Sequence, residues 1–530
     1  MIQIQASTRI SHFTRLIPRV HLHRRSHTAA TAPDPHEDLF RYTTGRWLWG
    51  EAEQLRKRYR RFNVVELQNA ATRALEGSPK CVSMSKVSEG NSNRVFRLQM
   101  DDGRVVVARI PMPNAGPERY TTASEAATME FEPEGTQLGE LWRDMKPFER
   151  KTLIESIVGL EQKLLSVGLN RSGSIYFAES GFEGCKTAEI ITDAPSSLRD
   201  YVKDRFVIGP SVDEEYWENQ KANMAIDRGP WDTAEEYVKA IAHREMAWIP
   251  RYGSEYPRDA RFTYDDGQQS PEAHIDLLQR YLSVISMLLP KKRDLLRPTL
   301  WHYCIDEQNV FVRNGVVSGL VDWQSTLVAP LVLQARVPWL VRYRRKKVFK
   351  RPDNFKELDE ADQEKVLTQI ARTTQQDFYL TQAALENPLL SRALDLPQSE
   401  FLKYLVSFAG WSWNNDNGFL NLRESLLKVI RRWELFNMED PCPYRFSNEE
   451  IEQHRKDGEG FNEYQDFWDE LEGVVDREGF TFPETFDAAV DFFSDLRDVM
   501  LKEAEGKNRE ELDLWTRWVL ERKQEREAKK

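Results

Sequence analysis

No run of about 18 apolar residues occurs in this 530-residue chain, and its mean hydropathy is −0.62, which argues against a membrane-spanning helix. Cysteine is scarce. Cys81, Cys185, Cys304 and Cys442 stand far apart without CxxC spacing, so neither a disulfide framework nor a zinc finger is indicated. An excess of positive charge is lacking too. Against 85 Asp and Glu there are 74 Lys and Arg, a formal −11, which argues against a general nucleic-acid binder. No internal repeat is visible. Aromatic bulk is plentiful: 15 Trp, 17 Tyr and 26 Phe rule out wholesale disorder and can fill a sizeable core. At ~100–200 residues per domain, the length suits two to four units, or one two-lobed domain with additions.

One absence is local. Residues 1–33 hold no acidic residue, yet they carry Arg9, Arg15, Arg19, Arg24 and Arg25, with Ile10, Phe13, Leu16, Ile17 and Val20 at helical spacing between them. Without those five charges the remainder has 69 basic residues against 85 acidic, a formal −16. An arginine-rich, acid-free leader on an acidic body has the composition of a mitochondrial transit peptide, with cleavage expected between Arg25 and Pro33 and the matrix as destination.

The body divides into a short β-rich part and a long helical part. Residues 34–80 read as helical lead-in. Residues 82–111 read as three antiparallel strands, with a glycine turn at Glu89–Asn93 and a hairpin at Asp102–Gly103. A helix over Thr122–Phe131 contains Glu125. From about 138 to 300 the pattern is mainly helical, interrupted by aromatic, turn-rich patches at Gly173–Phe177 and from Arg205 toward Trp231. Residues 301–332 return to short strands. The remainder, 335–530, reads as helical and heavily charged, with an end expected to fray.

Four pieces carry chemistry, in an informative order. The turn EGNSNRVF can place backbone N–H groups over phosphates. Arg109, in VVVARIP, can reach phosphate oxygens, and Glu125 on the next helix can orient it by an ion pair. The string LWHYCIDEQNVFVRNGVVSGLVDWQS is the most specific. A turn with His302 and Asn309 leads into a strand, a hairpin at Asn314–Gly315 returns, and the second strand ends at Asp322. An amide oxygen and a carboxylate at neighbouring strand ends are hard ligands suited to Mg²⁺ carrying nucleotide phosphates. Kinases place a catalytic Asp five residues before such an Asn and a metal Asp shortly after it.

In these strings, and in TTGRWLWGE, TASEAATM, EGTQLGELW, GSIYF, RFVIGP and DRGPW, the chain resembles the fungal mitochondrial branch of the aminoglycoside phosphotransferase / choline kinase-like superfamily. Within that branch it is similar to the altered inheritance of mitochondria protein 9 family, over roughly residues 36–440. The resemblance implies an α+β, protein-kinase-like bilobal fold. A small antiparallel-sheet lobe would span about 80–137, a large helical lobe about 138–440, and a charged helical tail 441–530. It implies a nucleotide loop of Gly90, Asn91, Ser92 and Asn93, Arg109 in the usual Lys position, Glu125 as its partner, and metal positions at Asn309 and Asp322. ATP and Mg²⁺ are the implied ligands.

Two departures set the functional expectation. The family's His-x-Asp-Leu-His-x-x-Asn loop reads here His302-Tyr303-Cys304-Ile305-Asp306-Glu307-Gln308-Asn309, so Cys304 holds the catalytic carboxylate position. A thiol of pKa ~8.5 is mostly protonated and cannot orient a hydroxyl as a carboxylate does. Asp306 is the possible substitute, but two residues of displacement move its head by several ångströms. The second departure follows the helix ending in ATMEF. Two strands and a hinge, needing roughly 20–30 residues, are expected there, and EPEGTQLG follows at once. A truncated small lobe has an open sheet edge and no adenine clamp. The expectation is therefore a kinase-like protein with impaired or absent catalysis and weak Mg–ATP binding. The alternatives are an active ATP/Mg-dependent small-molecule phosphotransferase and a helical interaction or scaffold protein. The substrate, small molecule or protein, is not legible. The Asp227–Trp231 stretch reads as a rigid turn before it reads as an acceptor site.

Overall fold

The computed structural model of the chain describes residues 35–90, 93–128, 136–255, 270–411, 413, 418–436, 438–471 and 474–528. The expected leader, Asn91, Ser92 and residues 129–135 lie outside them.

The chain opens with α1 (Glu37–Phe40), β1 (Arg46–Trp47), α2 (Glu51–Arg58) and α3 (Val64–Ala74). Asn63 caps α3 by accepting the Glu66 N–H at 3.0 Å. Then β2 (Cys81–Glu89), β3 (Asn93–Met100) and β4 (Val105–Pro111) form an antiparallel meander, the three strands the alternation predicts. Period-two patterning explains it: Phe96 and Leu98 are buried with Ala71 against Phe62, Leu67, Val106, Ala108 and Ile110, while Val105 and Val107 face outward. Arg109 has the outward parity, opposite to Ala108 and Ile110.

Helix α4 (Glu118–Thr128) follows, beginning earlier than expected and holding Glu125. Its Tyr120 stacks on Phe182 at 4.5 Å between ring centroids and lies 5.0 Å from Trp217, which fixes the helix to the larger body. The next described element, β5 (Thr136–Gln137), pairs with a later strand and not with the small sheet. Among the described residues that sheet therefore has three strands. Seven residues, 129–135, separate α4 from β5, too few for two strands and a hinge.

The larger body runs through α5 (Leu138–Leu141), α6 (Pro147–Ser166), β6 (Ser174–Phe177), β7 (Lys186–Thr187), α7 (Ser196–Arg205), β8 (Phe206–Gly209), α8 (Ala234–Tyr252) and α9 (Pro271–Leu288). It continues with β9 (Pro298–Leu300), β10 (Val310–Arg313), β11 (Val316–Leu320), β12 (Val328–Pro330), α10 (Leu331–Gln334), α11 (Glu360–Glu386), α12 (Pro388–Asp395), α13 (Ser399–Trp411) and α14 (Gly418–Arg431). The result is α+β, with short antiparallel sheets set among helices. Apolar faces of α6, α8, α9, α13 and α14 meet in one core that includes Trp248, Tyr281, Tyr379 and Leu422. No described helix is long and apolar enough to cross a membrane.

Two expectations need correction. The aromatic patches near 173 and 206 are not turns but strands, paired in the order β6-β8-β7. The span from 335 to 359 has no α-helix, because two prolines and a dense run of cations give it neither an apolar stripe nor an uninterrupted backbone ladder. The end of the chain, expected to fray, is helical as far as Ala528 and belongs to a packed unit. Helices α15 (Asn448–Glu470), α16 (Pro483–Glu503), α17 (Gly506–Trp515) and α18 (Arg517–Ala528), with β13 (Phe480–Thr481), enclose a second core.

Into that second core the other end of the chain inserts. Leu48 is fully buried among Trp468, Phe486, Phe493 and Trp518, and Trp49 packs 5.2 Å from the Trp518 ring. Strand β1 pairs with β13, Arg46 opposite Thr481. Arg522 locks the contact, donating to the Leu48 carbonyl at 3.0 Å and pairing with Glu51 at 2.9 Å. Burying a leucine contributes about 1.5–3 kcal/mol, so the first and last helical segments stabilise each other.

Candidate functional site

The hairpin β10–β11 builds the site's floor. Val310 and Val312 point into the core, and the turn at Asn314 (φ 54°) and Gly315 (φ 79°) has the left-handed backbone of a two-residue hairpin. The Val321 N–H extends the ladder to the Asn309 carbonyl at 3.0 Å, so Asn309 lies beside the residue preceding Asp322. His302, nearly buried, sets Nε2 2.8 Å from the Val321 carbonyl, and its ring meets Trp323 edge-on at 4.7 Å. The carbonyl only accepts, so Nε2 carries the proton; Nδ1 is buried without a partner among the described residues. Burial holds this imidazole below its usual pKa, hence neutral, and it clamps the backbone that presents Asp322. Asp322 itself sits at φ 67°, a left-handed position that a non-glycine residue adopts at some expense.

Arg109 meets this floor from β4. Its guanidinium pairs with Glu125 of α4 and, through the other nitrogen, with Asp322, and reaches Gln324 Oε1 at 3.2 Å. Asn93, at the far end of the glycine turn, bonds Gln324 as well. Turning the Asn93 amide puts its oxygen 2.7 Å from Arg109 Nη2 and its nitrogen 3.2 Å from Gln324 Oε1, which gives both atoms a partner. Arginine's planar fork explains how one side chain holds two carboxylates from two segments. Burial raises the Glu125 carboxyl, Arg109 pulls it down, the Asp322 charge adds to the rise, and the net shift is upward. The structure thus brings Asn93, Arg109, Glu125 and Asp322 together, and Gly90 lies at the turn's base with its N–H on the Asn93 carbonyl at 2.9 Å.

Gln324 escaped the sequence reading. It stands in the string VDWQST, but nothing in its spacing signals that it bridges two segments of the small sheet. Glu89 escaped too. Its side chain is 1% exposed and takes Arg94 Nε at 2.6 Å, the Thr43 N–H at 2.6 Å and Lys86 Nζ at 3.3 Å. It fixes the strand end that enters the glycine turn.

The loop between His302 and Asn309 shows what the catalytic positions do here. Cys304 is exposed, and desolvation, then the Asp306 and Asp322 charges, push its thiol up and keep it protonated. Asp306 turns its Oδ1 back on its own loop, accepting the N–H groups of Gln308 at 2.9 Å and Asn309 at 3.0 Å. Asn309 donates its amide nitrogen to the Cys304 carbonyl at 3.1 Å, so its oxygen is the atom left for a cation. Gly139 N–H on the Glu307 carbonyl at 2.7 Å, and Gln137 Nε2 on the Gln308 carbonyl at 2.6 Å, hold the loop from the other side. At Asp227, both carboxylate oxygens are engaged at 2.9 Å within the turn, by the Gly229 N–H and the Trp231 indole.

Among the described residues no three His, Cys, Asp or Glu side chains gather as a metal cage. A nucleotide-borne Mg²⁺ needs only one or two protein oxygens, and Asn309 with Asp322 supplies an amide oxygen and a carboxylate. The donor chemistry fits, provided that Asp322 exchanges Arg109 for the cation.

No protein-family model matches the chain. It is 26% identical over 510 residues to a subtelomeric hrmA-associated cluster protein of Aspergillus fumigatus, covering 83% of this chain and 96% of that one. To proteins named altered inheritance of mitochondria protein 9, mitochondrial, it is 26% identical in Yarrowia lipolytica (81% of this chain, 83% of that one) and 24% in Saccharomyces cerevisiae (80% and 84%). Among solved structures, a protein assigned as a fructosamine-3-kinase from Thermobifida fusca overlaps 68% of this chain and 98% of its own at a TM-score of 0.31 and 11% identity. A macrolide 2'-phosphotransferase type I overlaps 69% and 98% at 0.21 and 14%. Overlaps that loose carry no argument about this chain. The sequence relatives do, through coverage: the chain has distant homologues named altered inheritance of mitochondria protein 9, at 23–26% identity over about 80% of its length.

Proposed function

We propose that the chain is a mitochondrial, kinase-like protein of the aminoglycoside phosphotransferase type that binds Mg–nucleotide weakly and has lost efficient phosphotransfer. The observation that carries this reading is the set of bonds at the two catalytic positions. Arg109 is held by Glu125 and Asp322 together, while the base position offers a protonated thiol and a neighbouring carboxylate turned into its own loop. The bilobal division, with a truncated small lobe near 80–137, a large lobe to about 440 and a helical tail beyond, belongs to this reading. So does mitochondrial residence, supported by the relatives' names and by the acid-free leader.

In this reading Asn309 and Asp322 hold the cation, which supplies charge neutralisation for the phosphates. Arg109 turns from Asp322 toward the phosphate oxygens while Glu125 keeps its orientation. The backbone at Gly90 borders the phosphates, and His302 keeps Asp322 aimed into the cleft. Calorimetry of the full chain with ATP and Mg²⁺ tests it. Weak, Mg²⁺-dependent binding is expected, abolished by Asp322→Ala; equal binding by parent and variant refutes the metal assignment. Cys304→Asp restores only the base, a contribution of ~10²–10⁴-fold where nucleotide is already positioned. It is expected to hydrolyse ATP no faster than its parent, and robust turnover would show a complete nucleotide cleft and overturn the impairment.

A further inference from the structure

The segment 336–351, RVPWLVRYRRKKVFKR, has eight Lys or Arg in sixteen residues and no acid, inside a chain of formal charge −11. It forms an extended strap across α11. The Val348 N–H donates to Thr373 Oγ1 at 3.1 Å, Tyr343 N–H bonds Gln376, and the Leu340 N–H donates to the Ile305 carbonyl, at 3.1 Å, beside Cys304. These backbone bonds fix the strap's path, and Val341 anchors it in the core, while the side chains of 344–347 and 349–351 stay outside. Arg342 reaches a carboxylate, Glu400, only at 3.9 Å. Arg344, Arg345, Lys346, Lys347, Lys350 and Arg351 are exposed, and among the described residues none forms an ion pair with Asp or Glu. Two large apolar side chains stand among them: Trp339 is 49% exposed and Phe349 54%.

Unneutralised cations of this density repel one another and are retained at a cost unless an anionic surface meets them. The two exposed rings narrow the class of surface. An acidic peptide or a phosphate backbone would pair with the cations and leave Phe349 in water. A bilayer accepts both, cations at the headgroups and aromatic rings at the boundary with the acyl chains. The guanidiniums of Arg342 and Arg344 already stand over the Trp339 ring at 5.3 and 5.4 Å, which occupies ring surface that a nucleobase would need for stacking. The chain's overall negative charge does not prevent contact, since charges beyond a Debye length of about 8 Å are screened. We propose that the 336–351 strap is a peripheral docking surface for an anionic lipid bilayer, which would set the Cys304–Asn309 loop close to the membrane face.

The test is sedimentation of the full chain with phosphatidylcholine vesicles that contain or lack cardiolipin. Binding only to the anionic vesicles, released by molar salt, is expected. Each cation near such a surface contributes about fivefold in partition (about 1 kcal/mol). The exposed quadruple variant Arg344→Gln/Arg345→Gln/Lys346→Gln/Lys347→Gln should therefore bind roughly six hundredfold more weakly, with an unchanged melting temperature. Phe349→Ala should weaken binding while the salt dependence persists. Sedimentation with neither vesicle, equal binding to both, or a quadruple variant that binds like its parent overturns the proposal. So does tighter capture of a short single-stranded RNA or a poly-glutamate peptide than of cardiolipin vesicles.

Discussion

Replacing Glu89 by glutamine removes one charge from an ion pair in which both side chains are 1% exposed, and leaves shape and one acceptor oxygen intact. Burial alone would raise the Glu89 carboxyl. The bond from the Thr43 N–H, then Arg94 and Lys86, outweigh burial and hold it below the usual carboxylate range. Without the charge, Arg94 becomes a buried cation with a neutral partner, and breaking a buried pair from one side costs about 3–5 kcal/mol. Glutamine keeps a hydrogen bond, so a loss of about 3 kcal/mol at pH 7 is expected from urea unfolding of parent and Glu89→Gln. The sign of the pH dependence follows from the depressed pKa. The stabilisation is present above the carboxyl's unfolded pKa and disappears as pH falls through its folded one, so parent and variant should converge in acid. Hydrogen exchange should quicken at Thr43–Thr44 and around Gly90–Arg94, because Glu89 joins these segments. A difference under about 1 kcal/mol at pH 7, or a gap that persists in acid, would mean that the pair does not anchor the glycine turn.

Two further outcomes are expected. Glu161 of α6 is fully buried beneath the Tyr379 hydroxyl at 2.8 Å, and burial pushes its carboxyl up to about 8 from 4.5, worth on the order of 4–5 kcal/mol at ~1.4 kcal/mol per pH unit. Its stabilising, protonated form is complete below the unfolded pKa and lost as pH rises through about 8, so Glu161→Gln should flatten the melting profile between pH 5 and 9; parallel profiles would sink the assignment. Residues 1–40 fused to a fluorescent reporter should carry it to mitochondria, and an even cytosolic signal would remove the import reading.

Local patterns were legible in the sequence where the physics is local. The alternation at 93–100 and the Asn314–Gly315 turn each declare a strand pair, because side-chain parity and left-handed backbone are written within a few residues. Gln324 was not legible, because its role exists only where Asn93, Arg109 and the end of the β11 segment meet. The β6-β8-β7 sheet hid for a similar reason. Its strands are two to four residues long, and aromatic residues near glycine and proline signal a turn as readily as an edge. The strap lies inside the span 335–530 that reads as helical, and the two prolines and run of cations between 335 and 359 break that pattern locally. The second core is not legible because two of its members, Leu48 and Trp49, lie hundreds of residues away from the rest.

That separation has a consequence for the order of assembly. The bond from Arg522 to the Leu48 carbonyl closes a loop of 474 residues, and synthesis supplies its two ends first and last. Closure entropy grows only as the logarithm of loop length, so the joined state loses little stability by it; what the length imposes is delay. While α15 to α18 are still unmade, Leu48 and Trp49 have no core to enter. The segment through Thr43 and Thr44, which reaches Glu89 and the glycine turn, then relies on Tyr42 and Trp47 packing against Met112 and on Lys86 at the Arg41 carbonyl. Leu48 and Trp49, a few residues beyond the Thr43–Thr44 contact with Glu89, therefore reach their final packing only after the last helix is made, and a chain cut short before Trp518 leaves them without that partner.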